Sequence, residues 1–292
     1  AITQLGDAFK VAKFNSNVKE IWVAKGIYKP IWRADFTTNN ITDCPTLTDR
    51  DNAFVLVNNV KVYGGFFGNE TDTSNRDFVT NETILSGDIG VAVVNTDNCY
   101  HALVSAGAVG NAEVNGFTVT GGNAIIDVSI SVNSQVINSG SGAGMCCVVS
   151  SPSIRQCKFI NNNAAGVGAA IFNLNSNPLI VANTFKSNMA IIYGGAIANE
   201  GSSATIFNNT FIENASQDGG AMYNINASPI ITNSNFMGNT AGNGGGIFNN
   251  ASTTKLTICI ITGNTASASG GAIYNSNGTA LVIINCTIAG NA

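Results

Sequence analysis

The single histidine, His101, sits in the apolar run Tyr100-His-Ala-Leu-Val. That setting marks a packed strand residue rather than a general base, and one imidazole is too few for a multi-histidine metal centre. Seven cysteines show no metal-like spacing: Cys146 and Cys147 are adjacent, and no other two pair as a zinc site requires. Cys157, Cys259 and Cys286 share a repeat column with Asn183, Asn209 and Ser234, which marks them as small interior fillers. Cys44 and Cys99 form a candidate disulfide if the protein is exported, and spacing leaves both the bridged and the free state open.

Cleavage of polysaccharides needs paired carboxylates, or acidic calcium ligands beside a basic proton acceptor. From residue 114 onward the only charged side chains are Asp127, Arg155, Lys158, Lys186, Glu200, Glu213, Asp218 and Lys255. They fall in different columns, so two carboxylates do not meet on one strand face, and no catalytic residue is assigned. The first half is richer, with Asp43, Asp49 and Asp51 in one loop, Asp72 and Asp77 in another, and Asp88 and Asp97 beyond. None of these loops reads Asp-x-Asp-x-Asp-Gly, so solvation is the preferred reading and Ca2+ at the Asp-rich loops the alternative. No other metal or cofactor is expected.

Aromatic residues make the better binding candidate. Phe172, Tyr223, Phe248 and Tyr274 each follow an inward Ile or Met and are expected to face solvent, with Ala198 interrupting the row. Stacked exposed rings suit the apolar faces of sugars or a protein partner. The plainer alternative is that a loop or a neighbouring chain covers them, or that stacked aromatics favour strands.

What positions these residues is a repeat. The anchors Met145, Ile171, Ile197, Met222, Ile247 and Ile273 are spaced by 26, 26, 25, 25 and 26 residues. A second series, Phe159, Phe185, Phe211, Phe236, Ile261 and Ile288, follows 14 residues later, and 15 the last time. Apolar residues within the unit alternate with period 2, so the unit is made of strands. Stacked coils of about 25 residues place like on like, which predicts an all-β, single-stranded parallel β-helix. Ile154, Ile180, Ile206, Ile231, Leu256 and Ile283 form its aliphatic column. Two asparagine columns are expected to ladder and to occupy bends. One is Asn173, Asn199, Asn224, Asn249 and Asn275; the other is Asn162, Asn188, Asn214, Asn239, Asn264 and Asn291. Gly-Gly pairs supply a further corner.

Net charge is −4 with no clustered Lys and Arg, which excludes nucleic acid as a partner. Charged residues are only 10% and hydrophobic ones 45%, a folded composition. No run of 18 apolar residues spans a membrane in this segment. Residues 1–140 are expected to form an N-terminal cap with irregular coils, and 141–292 the regular repeats, continuing beyond the chain because a repeat stack needs caps.

Gly-Gly-Ala-Ile at 194–197 and 270–273, Gly-Gly-Ala-Met at 219–222, and Phe-x-x-Asn at 159–162, 185–188, 211–214 and 236–239 resemble the GGAI and FxxN repeats of the chlamydial polymorphic outer-membrane proteins. That resemblance covers about half the chain and implies a right-handed parallel β-helical passenger of a surface autotransporter, with adhesion as its role. Earlier segments, Glu20 to Pro30, Val62 to Thr71, Thr83 to Ile89 and Asn115 to Asn123, resemble the opening of large secreted bacterial β-helix proteins. Ala124 to Gly140 departs from the family spacing and is expected to be an excursion from one coil. The combined expectation is a non-enzymatic stalk or adhesin, extracellular or on the bacterial surface, contacting glycan or protein. The alternatives are a carbohydrate-active enzyme of pectin-lyase-like architecture with its site on the N-terminal loops, and a self-assembling filament subunit joined through β-helix ends.

Overall fold

The computed structural model describes residues 2–36, 49–92, 94–126 and 128–292. Each coil contributes one strand to each of three parallel sheets. In the coil that starts at Ile171, the chain runs through Ile171–Leu174, Leu179–Val181 and Thr184–Lys186 before the next coil begins at Ile197. The first sheet has nine strands from Glu20–Ala24 to Ala280–Ile284, and the second nine from Gly26–Tyr28 to Thr287–Ala289. The third has eight, from Phe54–Val55 to Ile273–Ser276. The chain is a parallel β-helix, and the predicted columns stand in register: Ile180 pairs with Ile206, Phe185 with Phe211 and Ile197 with Met222. Phe159, Phe185, Phe211 and Phe236 stack with centroids 5.3, 4.8 and 4.6 Å apart, so each coil buries its ring against the last.

The asparagines ladder as expected but do not themselves take the left-handed backbone. Positive φ falls one residue earlier in one column, at Asn161, Ser187, Glu213, Gly238, Gly263 and Gly290. In the other it falls two residues later, at Asn175, Gly201, Asn226, Ala251 and Asn277. In the first column the left-handed residue swings the next side chain inward, so the asparagine that follows is held inside, where its amide meets its neighbours; in the second the residue so placed is a serine, as at Ser176, Ser202 and Ser252. In the Gly-Gly pair the division of labour is different: Gly219 has φ +68°, and a Cβ on Gly220 would lie 2.3 Å from the Gly245 carbonyl oxygen.

The helix Leu5–Phe14 closes one end, with Phe9 set against Phe54 at 5.7 Å. The excursion after Ala124 is an antiparallel hairpin, Ser129–Val132 with Gln135–Asn138. It lies on the outer face of the third sheet, burying Ile130, Val132 and Ile137 in one cluster with Val104, Ala106, Cys146 and Val148. The early coils are also pinned by a residue that pattern reading missed. Arg50, only 4% exposed, donates to the carbonyls of Asn98 and Asn123 at 2.7 and 3.0 Å and lies over the Tyr100 ring.

Candidate functional site

The aromatic row lies on the outer face of the third sheet, and its expected exposure is corrected by the structure. Phe172, Tyr223 and Phe248 are 7%, 5% and 8% exposed, and Tyr274 is half-buried. Strand alternation turned them away from the β-helix interior, as the sequence implied, but there they pack on one another in a second apolar cluster. The interruption at Ala198 is filled from the same coil: Tyr193, just before Gly194, bridges Val167 and Asp218 in the coils on either side. Its ring stacks on Tyr223 at 4.3 Å and 9°. Tyr223, Phe248 and Tyr274 continue the stack at 5.1 and 4.9 Å. A large residue in front of the glycine pair, opposite the one small residue of the row, was the signal available in the sequence.

The cover is incomplete. Beside Ala198 remains a groove of about 210 Å3, walled by Phe172, Tyr193, Tyr223 and Val167, with the exposed Glu200 at its side. The Tyr223 hydroxyl accepts a long hydrogen bond from Asn250 Nδ2 at 3.4 Å, and burial raises its pKa. Chemically the groove offers aromatic faces, phenol hydroxyls and one carboxylate. That set is suited to contact with a ring, and it holds one carboxylate without an acidic or basic partner.

Beneath the groove runs the buried amide ladder. Asn173, Asn199, Asn224, Asn249 and Asn275 join Nδ2 to Oδ1 at 2.9, 2.8, 2.8 and 2.9 Å. It ends at Asn173, whose Oδ1 has no partner because the register-mate one coil earlier is Cys147.

The other candidates disperse. Cys157, Cys259 and Cys286 donate to the carbonyl two residues back, at 3.1, 3.4 and 3.3 Å. Asn209 and Ser234 of the same column make the same bond at 3.0 Å, so the cysteines are interior fillers. Burial pushes the thiols of Cys99 and Cys146 up to about 12 and Cys157 up to about 11, far from the range of a nucleophilic thiolate. Cys99 is a buried thiol, while Cys44 lies outside the described residues, as does Asp43. Asp72 accepts from the Ser74 N–H, Asp77 from Val79 and Thr80, and Asp97 from Val91, while Asp51 pairs with Arg33 at 3.2 Å. Among the described residues no three His, Cys, Asp or Glu side chains converge as metal ligands. His101 is buried just before the strand Leu103–Ala106, and its Nδ1–H donates to the Gly142 carbonyl at 3.0 Å. Burial lowers its pKa to about 4.

Stacked parallel sheets and internal amide ladders define a parallel β-helix repeat protein. Residues 258–276, from the left-handed corner at Ile258 through the ladder residue Asn264 and Gly270-Gly271 to Tyr274 and Asn275, match the family model of the Chlamydia polymorphic membrane protein (Chlamydia_PMP) repeat. No curated protein and no solved structure matches the chain.

Proposed function

We propose that this chain is a surface-exposed β-helical passenger of a bacterial cell, working by contact and not by catalysis. The likeness of its repeat to that of a membrane-protein family supports the surface location. The observation that carries the contact reading is the groove of about 210 Å3 beside Ala198, walled by Phe172, Tyr193 and Tyr223. A sugar ring, or a ring on a partner protein, enters between Phe172 and Tyr193 and turns its hydroxyls toward Glu200. Many such rods on one surface add weak contacts into firm attachment.

Filling the groove tests this directly. Ala198→Phe places a side chain in the gap without touching the β-helix interior, since residue 198 points outward. Binding to cells or to a glycan array is expected to fall at least about tenfold, the equivalent of roughly 1.4 kcal/mol, with unchanged melting. Full binding in that variant would remove the groove from the account. Chelator-sensitive cleavage of polygalacturonate by the wild-type chain would replace contact with catalysis.

A further inference from the structure

Charge is placed unevenly around the rod. From residue 140 onward the cations are Arg155, Lys158, Lys186 and Lys255, and all four lie on strands of the first and second sheets. The third sheet, over the same span, carries none. The acidic side chains there are Glu200, Glu213 and Asp218, and two of them are already engaged. Glu213 pairs with Lys186 at 3.7 Å, and Asp218 accepts from Asn243 Nδ2 at 2.9 Å. Among the described residues nothing pairs with or donates to the Glu200 carboxylate.

Glu200 ends the strand Ile197–Glu200, exposed at the side of the groove beside Ala198. Its register-mates in the coils on either side are Leu174 and Ile225, so no cation meets it along the ladder. Phe172, Tyr193 and Tyr223 wall the groove, and no Lys, Arg or His lines it. Burial raises the Tyr223 pKa, and the carboxylates of Asp218 and Glu200 push it the same way, so the field at that hydroxyl is negative.

These features set the sign of the occupant. Aromatic rings attract a cation through their quadrupole, an unpaired carboxylate attracts it through charge, and both disfavour an anion. Size sets its extent. The groove's 210 Å3 is less than the roughly 300 Å3 that encloses a drug-sized ligand, so it suits a single ring. A basic peptide segment presents several cations and needs several carboxylates, whereas this groove offers one.

We propose that the groove at Ala198 selects a sugar ring bearing a protonated amine, a glycan of the glucosamine class, with the ring against Phe172 and Tyr193 and the ammonium group on Glu200. The inference rests on the contact reading of the same groove and adds the charge of its ligand.

Calorimetry on the intact chain at low salt compares the tetramer of glucosamine with the tetramer of N-acetylglucosamine, which share a ring and differ in charge. Spermine supplies the charge without the ring. The free-amine sugar is expected to bind about tenfold or more tighter than the acetylated one, and Ala198→Phe to remove at least about tenfold of that binding. Glu200→Gln is expected to bring the two sugars within about twofold of each other. Glu213→Gln removes an equal charge outside the groove and is expected to leave the preference intact. Glu200 is exposed, and unchanged melting confirms that its variant folds. Equal binding of the two sugars, lost in Ala198→Phe, would overturn the amine assignment and leave the groove standing as a contact site. A preference that survives Glu200→Gln would overturn it too. So would spermine bound as tightly as the sugar and indifferent to Ala198→Phe, since that marks attraction to the net negative charge of the chain. Failure of the glucosamine tetramer to bind ends the proposal, while Ala198→Phe assayed on cells judges the groove separately.

Discussion

Asn214 and Asn224 are both fully buried asparagines on the same rod, yet they hold different numbers of partners. Asn214 Oδ1 accepts the Asn188 N–H and Nδ2 at 3.1 and 3.0 Å, and its own Nδ2 donates to Phe185 O and Asn239 Oδ1 at 3.0 and 2.9 Å. Asn224 makes the two rungs of its ladder, both at 2.8 Å. Because an orphaned buried donor or acceptor costs about 1–3 kcal/mol, Asn214→Ala is expected to lower the melting temperature more than Asn224→Ala. Equal shifts in thermal unfolding would show that the turn bonds contribute nothing beyond the ladder. His101 makes a second residue-scale prediction. Its imidazole is neutral in the fold down to about pH 4, whereas the unfolded chain takes up a proton near 6.5. Between those values the unfolded state binds more protons, so stability falls as pH drops, by about 3 kcal/mol across the window. Asp72 and Asp77, held below the usual range by backbone N–H donors, lose their contribution only at lower pH. Melting curves recorded from pH 7 to pH 4 are expected to show a shallower slope for His101→Gln than for the wild type.

Among the elements, the hairpin 129–138 and the segment carrying Tyr193 convert an outer sheet face into a second core. Ile130, Val132 and Ile137 are buried against the third sheet, and each side chain contributes roughly 1.5–3 kcal/mol of burial. Replacing residues 129–138 with a short Gly-Ser link is expected to lower the melting temperature by several degrees and to create dye-binding apolar surface over Val104 and Cys146. No change in either would mean that the hairpin merely rests on the rod. The excursion itself was legible in the sequence as a break in period. Its partner face was not, because nothing in a 25-residue period states which coil an insertion folds back upon. Likewise the Gly-Gly-Ala-Ile and Phe-x-x-Asn motifs predicted corners and core correctly, but the left-handed positions had to be read from the backbone. Most of their occupants are Asn or Gly, as at Asn175, Gly201 and Asn226, but Ser187, Glu213, Ala251 and Ile258 stand at equivalent corners, so residue type alone does not mark them.

At the scale of the molecule, each coil touches its neighbours through all three sheets, so protection follows position along the rod. Cys146 and Cys147 are buried, with a paired strand on either side. A thiol reagent is therefore expected to spare both in the folded chain and to label them only as denaturant unfolds it, as mass spectrometry of timed samples would reveal; early labelling of Cys147 would contradict a continuous core. The sequence by itself determined the parallel β-helix, its coil length, the inward columns and the amide ladders, because stacking like on like writes the same residue types at one period. Only the tertiary structure decided that Phe172, Tyr223 and Phe248 are covered and that Ala198 is left beside a groove. Alternation along a strand says which side of the sheet a residue faces. What covers that side is set by a hairpin whose position carries no period and by the one tyrosine in a repeat column that holds Val167, Tyr193, Asp218 and Asn243 in successive coils.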